Sequence, residues 1–268
     1  MAEAILSALT KNKQQNMQDI VCHDLDVSRL EQLKEKYGIR PCESVEAGIE
    51  EADITFLSVK PQNVASLAKS LSKPPRGLLL SIVAGYTIDN LSKEFGTDRI
   101  VRSMPNTPAM VLEGMTVWTA TKGTPTHLVD KARVLLSAVG EQIEVKDESY
   151  LDMATAVSGS GPAYVFLTME AMIDAAVHVG FPRDIAVKLV TATMRGSVIY
   201  AQSSGDSIPT LRNQVTSPGG TTASALYELE RGGFRTVVAD AIWAAYRRSL
   251  ELGGSNPNVG PGRNKWEK

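Results

Sequence analysis

The sequence is poor in the residues that build metal sites and disulfide frameworks. It has only two cysteines, Cys22 and Cys42, and three histidines, His23, His127 and His178. The cysteines match neither a metal-binding spacing nor a disulfide pattern, and the histidines are scattered, so we predict no metal site. Unpaired cysteines are typical of a reducing compartment, and we therefore expect a cytoplasmic protein.

The chain also lacks an excess of one charge and any long hydrophobic run. Its formal net charge is −2 and 22% of its residues are charged, which does not indicate binding to nucleic acid or to a membrane surface. The longest apolar run, residues 78–85 with a serine inside, is far shorter than a membrane span. No basic and apolar signal segment opens the sequence. We expect neither a nucleic-acid nor a membrane partner.

Short apolar runs alternate with amphipathic segments in the first half of the chain. The predicted strands cover 19–22, a brief segment near 39, 53–59, 78–83, 99–103, 115–120 and 142–146. The predicted helices cover 2–9, 28–37 with Ser28 as its cap, 45–51, 64–71 and 88–95. Apolar runs without in–out alternation, separated by helices, favour a parallel sheet that is covered on both faces. We predict an α/β fold, with a doubly wound, Rossmann-type domain over 1–147.

Helical periodicity dominates the second half. The predicted helices cover 163–179, 183–203, 221–231 and 234–252. We predict an all-α domain over 148–253 that binds substrate and mediates dimerisation, followed by a disordered tail over 254–268. Because these helices are rich in Ala, Gly and Met and leave much apolar surface, a homodimer or larger homo-oligomer is favoured over a monomer.

The segment 215–226, Val-Thr-Ser-Pro-Gly-Gly-Thr-Thr-Ala-Ser-Ala-Leu, is typical of a tight turn that leads into a helix. We predict that Ser217 caps the helix and that Pro218 occupies its first position. The N–H groups that open a helix have no partner inside it and form a site for an anion. The hydroxyls of Thr221 and Thr222 stand beside that site, which suits a small carboxylate. The alternative is an ordinary helix start that binds only water.

The beginning of the sequence differs from that of a typical dinucleotide-binding domain. Such a domain opens with a strand and a Gly-x-Gly-x-x-Gly turn before its first helix, whereas this chain opens inside a helix and has no glycine before Gly38. Asp24, with Asp26 nearby, follows the second expected strand, where an acidic residue binds the ribose hydroxyls. We therefore expect a truncated chain that binds a dinucleotide poorly. A different α/β fold without the glycine turn is the alternative.

Five motifs in a fixed order resemble the pyrroline-5-carboxylate reductase family, over almost the whole chain. They are Ser-Val-Lys-Pro-Gln at 58–62, Ile-Val-Ala-Gly at 82–85, Arg-Ser-Met-Pro-Asn-Thr-Pro at 102–108, Ser-Gly-Ser-Gly-Pro-Ala-Tyr at 158–164, and Ser-Pro-Gly-Gly-Thr-Thr at 217–222 with Glu-Arg-Gly-Gly-Phe at 230–234. The resemblance implies hydride transfer from a nicotinamide cofactor to 1-pyrroline-5-carboxylate, which yields L-proline.

The resemblance also implies roles for individual residues. Thr222 is the implied catalytic residue, with its hydroxyl near the ring nitrogen. The implied substrate-binding residues are Ser217, Gly219, Gly220, Thr221 and Thr222. The implied cofactor-binding residues are Met1, Asp24, Val59, Lys60, Pro61, Val83, Ala84, Gly85 and Asn106. The family commonly uses NADPH, but a carboxylate at Asp24 would repel a 2′-phosphate, so we hypothesise that NADH is tolerated well.

Several of these residues have a purely structural alternative. Residues 158–162 are equally well explained as a hinge and helix cap. Lys60 is alternatively a solvated charge at a strand end, and Tyr164 and Tyr200 are better explained as core or subunit contacts than as catalysts.

Two other functions remain open at this point. A hydroxyacid dehydrogenase shares the two-domain plan, but it places a catalytic lysine in the helical domain, and no matching motif surrounds Lys188. A non-enzymatic alternative is a truncated, inactive isoform that acts only by associating with intact subunits.

Overall fold

The computed structural model describes residues 1–12 and 16–260. The chain divides into two compact units, one of Met1–Gly161 together with the chain from Trp243 onward, and one of Pro162–Ile242. Of the predicted tail, residues 254–260 are described, and the remainder lies outside the described residues.

Strands and helices alternate in the first unit, as predicted. The strands are β1 (Val21–Cys22), β2 (Arg40–Pro41), β3 (Ile54–Leu57), β4 (Leu78–Ser81), β5 (Ile100–Met104), β6 (Gly114–Ala120) and β7 (Gly140–Glu144). The helices are α1 (Ala2–Asn12), α2 (Val27–Tyr37), α3 (Val45–Glu51), α4 (Pro61–Lys69), α5 (Ile88–Phe95), α6 (Thr126–Ser137) and α7 (Ser149–Ala154). Short 3₁₀ turns cover Met17–Asp19 and Thr107–Val111, and a π-helical turn covers Thr155–Gly159.

The strands of this unit form two sheets. β1 and β2 pair in parallel in a two-stranded sheet, and the other five strands form a sheet in the order β3-β4-β5-β6-β7. The pairs β3–β4 and β4–β5 are parallel, which confirms the predicted arrangement for the centre of the domain. β6 runs antiparallel to β5, and β7 is parallel to β6, so the last two strands run in the opposite direction. No strand within the described residues joins β1 to β3.

The apolar strand β4 lies at the centre of the core. Leu78, Leu79 and Leu80 are all 0% exposed, because helices cover both faces of the sheet. Leu79 packs in a cluster with residues of α4 and α5, whereas Leu78 and Leu80 pack with Trp118 of β6 and with α6. Successive side chains of a strand point to opposite faces, and a run without polar alternation is therefore what a doubly covered strand requires.

Asp26, not Ser28, caps α2. The helix begins at Val27, and the Asp26 carboxylate accepts a hydrogen bond from the Arg29 N–H at 3.0 Å. The prediction of Ser28 as the cap is wrong because Ser28 lies inside the first turn, two positions after the residue that caps the helix.

Glu3 links α1 to α2. Its carboxylate accepts hydrogen bonds from Lys36 Nζ at 2.9 Å and from the Tyr37 hydroxyl at 3.0 Å, and it pairs with Arg29. The hydrogen bond from Lys36 is the largest of these influences, and together they lower the pKa of Glu3 to about 2.

The second unit is helical, as predicted. The helices are α8 (Gly161–Val179), α9 (Arg183–Ser204), α10 (Ile208–Gln214), α11 (Thr221–Arg231) and α12 (Phe234–Leu252), whose residues from 243 onward belong to the first unit. Arg183 pairs with Asp174 at 2.6 Å and thereby joins α9 to α8. Within the described residues, no helix is both long and apolar enough to cross a membrane.

Candidate active site

Three of the predicted cofactor-binding groups lie at one edge of the five-stranded sheet. Residues 59–61 follow β3, residues 83–85 follow β4, and Asn106 follows β5. These strands are parallel, and their ends are in register, with Leu57 opposite Ser81 and Ser81 opposite Arg102. The turns that follow parallel strands meet at the carboxyl edge, which is where open α/β sheets bind their ligands.

The turn after β3 leads directly into α4. Pro61 occupies the first position of the helix, and Lys60 precedes it without capping it through its side chain. Proline suits this position because its missing N–H would have no partner there. Lys60 is exposed, and within the described residues it has no ion-pair partner, so its ammonium group is available to an anion.

The turn after β4 is compact and buried. The Val83 N–H donates to Ser81 Oγ at 3.2 Å, and Gly85 has a φ of 70°, in the left-handed region. A Cβ at Gly85 would lie 2.8 Å from Leu252 Cβ and 3.0 Å from the Leu252 carbonyl carbon. The glycine is therefore required by the packing of the end of α12, whether or not a cofactor approaches the turn.

Asn106 uses both ends of its amide within the protein. Its Oδ1 accepts a hydrogen bond from the Met115 N–H at 2.9 Å, and its Nδ2 donates to Ser158 Oγ at 3.2 Å. These two bonds fix the orientation of the amide. Ser158 is thus brought to a residue of the predicted cofactor site.

Sequence reasoning missed a buried ionic network behind these turns. Arg102 is 3% exposed, and its guanidinium bonds to Glu148 at 2.6 Å and to Asp152 at 3.4 Å. A signal was present in the sequence, because a charged side chain inside a buried apolar strand requires a partner. The positions of the two carboxylates were not predictable from it.

The register of the five-stranded sheet does not place Asp24 or Met1 beside these three turns. Asp24 follows β1, which belongs to the two-stranded sheet, and its exposed carboxylate accepts a hydrogen bond from the Asp26 N–H at 3.0 Å. Met1 immediately precedes α1, where its carbonyl accepts the Ile5 N–H at 3.2 Å and its side chain packs against the α1 cluster.

In the second unit, the turn before α11 differs in detail from the prediction. Helix α11 begins at Thr221, with Gly220 as its N-cap and without a side-chain cap. The predictions that Ser217 caps the helix and that Pro218 is its first residue are therefore wrong. Residues 217–220 instead form a turn closed by a hydrogen bond from the Gly220 N–H to the Ser217 carbonyl at 3.0 Å, and Gly219 supports it with a φ of 69°.

This turn changes which groups are free to hold an anion. The Gly220 N–H is engaged in the turn, so the first N–H groups of α11, from Thr221 onward, are the ones left without an intrahelical partner. Thr222 is half-buried and Thr221 is exposed, and within the described residues neither hydroxyl has a hydrogen-bond partner. The arrangement offers several N–H donors to a small anion and a hydroxyl to a polar group next to that anion. No cluster that could hold a metal ion occurs among the described residues.

Comparison with known proteins gives consistent matches to both halves of the chain. A family model described as pyrroline-5-carboxylate reductase dimerisation matches residues 148–252, and one described as NADP oxidoreductase, coenzyme F420-dependent, matches residues 1–85. A pyrroline-5-carboxylate reductase of Synechocystis is 39% identical over 94% of this chain and 95% of its own length.

Two solved structures extend the match to the fold. A pyrroline-5-carboxylate reductase from Coxiella burnetii is 34% identical, with a TM-score of 0.83 and a coverage of 94% of each chain. The Plasmodium falciparum pyrroline carboxylate reductase, solved with NADP bound, is 31% identical, with a TM-score of 0.85 and the same coverage.

Proposed function

The chain belongs to the pyrroline-5-carboxylate reductase family, and from that premise we propose that it reduces 1-pyrroline-5-carboxylate to L-proline, the last step of proline biosynthesis. The observation that carries the proposal is the start of α11, where free N–H groups adjoin the Thr222 hydroxyl, which has no hydrogen-bond partner in the described part of the chain. The substrate is a cyclic imine that bears a carboxylate. The N–H groups suit its carboxylate, and the hydroxyl suits its ring nitrogen.

The N–H groups at the start of α11 hold the substrate carboxylate. Backbone donors and the positive end of the helix favour an anion there, and the Ser217 hydroxyl and Gly219 N–H lie in the adjoining turn. Thr222 then orients the ring nitrogen through its hydroxyl, because attack on C5 requires the imine to be polarised or protonated. The remaining contribution of the protein is to position the ring and to shield it from water.

The polar groups of the first unit suit a nicotinamide dinucleotide, which when bound supplies the hydride. Lys60 offers a cation to phosphate, Asn106 a fixed amide, and Asp24 a carboxylate for ribose hydroxyls. Arg29, a cation at the start of α2, is already paired with Glu3. Among the described residues Asp24 has no ion-pair partner, and Arg29 is engaged, so NADH should be used well beside NADPH. Met1, Val59, Pro61 and residues 83–85 would complete the site.

We further propose a division of labour between residues 1–147, which bind the dinucleotide, and residues 148–253, which bind substrate and dimerise. Helix α8 has no buried residue in the single chain, and its Phe166 and Leu167 are 62% and 66% exposed. An apolar surface of this extent is typical of a subunit interface. A homodimer or larger homo-oligomer in the cytoplasm is therefore part of the proposal.

The test is reduction of pyrroline-5-carboxylate by this chain, followed through the absorbance of NADPH and of NADH. The Thr222→Ala variant should lower kcat by about 100-fold because a positioned donor is lost, whereas Thr222→Ser keeps the hydroxyl and should stay near the parent value. Ser224→Ala is the matched control, since the one hydrogen bond of the Ser224 hydroxyl within the described residues goes to the Gly220 carbonyl.

The outcomes separate the parts of the proposal. No reduction with either cofactor would count against the function and in favour of a chain that acts only by association. A strong preference for NADPH in kcat/KM would refute the assignment of Asp24, and an unchanged kcat in Thr222→Ala would refute the role of that hydroxyl. The family match itself favours the reductase over the hydroxyacid dehydrogenase.

A further inference from the structure

We propose that Arg102 is a positioning residue that fixes two of the proposed cofactor-binding turns, the one after β4 and the one after β5. It does so through two carboxylates, that of Glu148 directly before α7 and that of Asp152 within α7. The proposal rests on the proposed function for its consequence in cofactor binding, but its structural part can be measured independently.

The first connection runs from Arg102 to the beginning of α5. Arg102 Nη1 donates to Glu148 Oε1 at 2.6 Å, and the same oxygen accepts the Ile88 N–H at 2.7 Å. Ile88 is the first residue of α5, directly after the turn that contains residues 83–85. A single carboxylate oxygen thus joins the centre of β5 to the end of the turn after β4.

The second connection reaches the same turn from the end of α12. Arg102 Nη2 bonds to Asp152 Oδ1 at 3.4 Å, and Ser249 donates to that oxygen at 2.7 Å. Asp152 and Ser249 are 8% and 2% exposed. One turn beyond Ser249, Leu252 packs against Gly85. Arg102 therefore supports the turn after β4 from both of its sides.

The third connection reaches the turn after β5. Helix α7 continues into the π-helical turn Thr155–Gly159, closed by a hydrogen bond from the Ser160 N–H to the Thr155 carbonyl at 2.8 Å. This turn places Ser158 against Asn106, and a Cβ at Gly159 would lie only 2.7 Å from Met104 Cε. π-Helical turns are rare and occur often at functional sites. By holding α7, Arg102 holds the serine that orients Asn106.

Stability alone is a poor explanation for this network. Removing an arginine and the Asp152 carboxylate from water is costly, and apolar side chains of similar volume often serve a core as well or better. A buried arginine bonded to two carboxylates nevertheless fixes the relative positions of the elements that carry them, because each bond has few alternative arrangements. Both of these bonds lead to the two turns, and this accounts for the positions of the three charged residues.

The experiment compares four variants of the full chain. Arg102→Met removes the centre of the network, and Arg102→Met/Asp152→Asn removes it without leaving a buried unpaired carboxylate. Ser158→Ala removes only the last contact to Asn106. Arg133→Met is the matched control, because Arg133 is likewise held by two carboxylates, Asp130 and Glu144, but is 40% exposed and belongs to α6, not to either turn.

Three quantities are measured for each variant: the Kd of NADPH by fluorescence titration, the thermal unfolding midpoint, and the hydrogen-exchange rates of the Ile88 and Met115 amides. We expect the double variant to recover the midpoint lost in Arg102→Met but to bind NADPH about 10- to 100-fold more weakly than the parent. Ser158→Ala should weaken binding in the same direction with an unchanged midpoint. The two amides should exchange faster in the double variant. Arg133→Met should leave the Kd of NADPH and both exchange rates unchanged.

A purely structural Arg102 would give a different pattern. The double variant would then recover NADPH affinity together with its midpoint, and this result would overturn the proposal. If the parent chain binds neither NADPH nor NADH, the proposed function loses its cofactor, but the exchange rates still decide the role of Arg102. Unchanged rates at Ile88 and Met115 in the double variant would refute it in either case.

Discussion

Replacing Gly85 by alanine tests whether the turn after β4 is fixed by the end of α12. The glycine has a φ of 70°, and the added Cβ would lie 2.8 Å from Leu252 Cβ and 3.0 Å from its carbonyl carbon. The first distance is shorter than real Cβ contacts, and the second is tighter than most of them and involves backbone, which cannot rotate away.

The expected loss of stability has two parts. An alanine in the left-handed region costs about 1–2 kcal/mol, and forcing an extra methyl group against packed atoms costs about 1–3 kcal/mol. The sum is about 2–5 kcal/mol, a large share of the stability of an ordinary domain.

The Gly254→Ala variant separates these two parts. Gly254 has nearly the same φ, 72°, but a Cβ there would meet nothing within 4 Å. Urea unfolding of both variants should therefore show Gly85→Ala to be less stable than Gly254→Ala by the packing part alone, about 1–3 kcal/mol. Equal losses in the two variants would refute the contact between Gly85 and Leu252.

Two further predictions concern the helices around the sheet. Glu3→Gln should destabilise the protein by about 1–2 kcal/mol near neutral pH after allowance for solvent screening. Because the pKa of Glu3 is lowered from 4.5 to about 2 in the folded chain, this stabilisation is complete above pH 4.5 and is lost as the pH falls towards 2, so urea unfolding of the two proteins should converge in acid. Leu91→Ala should cost about 2–5 kcal/mol because Leu91 is 0% exposed in the α4–α5 cluster, whereas Leu25→Ala, at a side chain that is 89% exposed, should leave the thermal unfolding midpoint unchanged.

Where local signals agree, the sequence predicts elements closely. Helices α3 and α5 begin and end at the predicted residues, and Ser44 and Thr87 cap them by accepting N–H groups three positions later. Strand β4 begins at the predicted residue and β3 one residue after it, but both end two residues earlier than predicted, because the apolar run continues into turns that are themselves partly buried. Hydrophobic runs indicate burial, and pairing decides where a strand ends.

The elements that were missed lack such signals. Helix α6 follows Pro125, which offers no side-chain cap, and the π-helical turn after α7 depends on contacts that no local pattern encodes. The direction of β6, antiparallel to β5, was likewise not predictable, because the hydrophobic periodicity of a single strand does not indicate in which direction it pairs with its neighbour. At α11 the helix was predicted correctly, but the short Ser217–Gly220 turn displaced its cap by three residues.

The candidate site shows the same limit of sequence-based prediction, because a glycine in a motif can be required either by a ligand or by packing within the protein. Gly85 is explained by the packing of the end of α12, without any ligand. The motifs that carry the resemblance therefore record packing between the turns proposed to bind the cofactor and the helices behind them. Such contacts join residues far apart in the chain, such as Asn106 with Ser158 or Arg102 with Glu148. A single sequence identifies the turns, but only the folded chain shows that a buried arginine connects them.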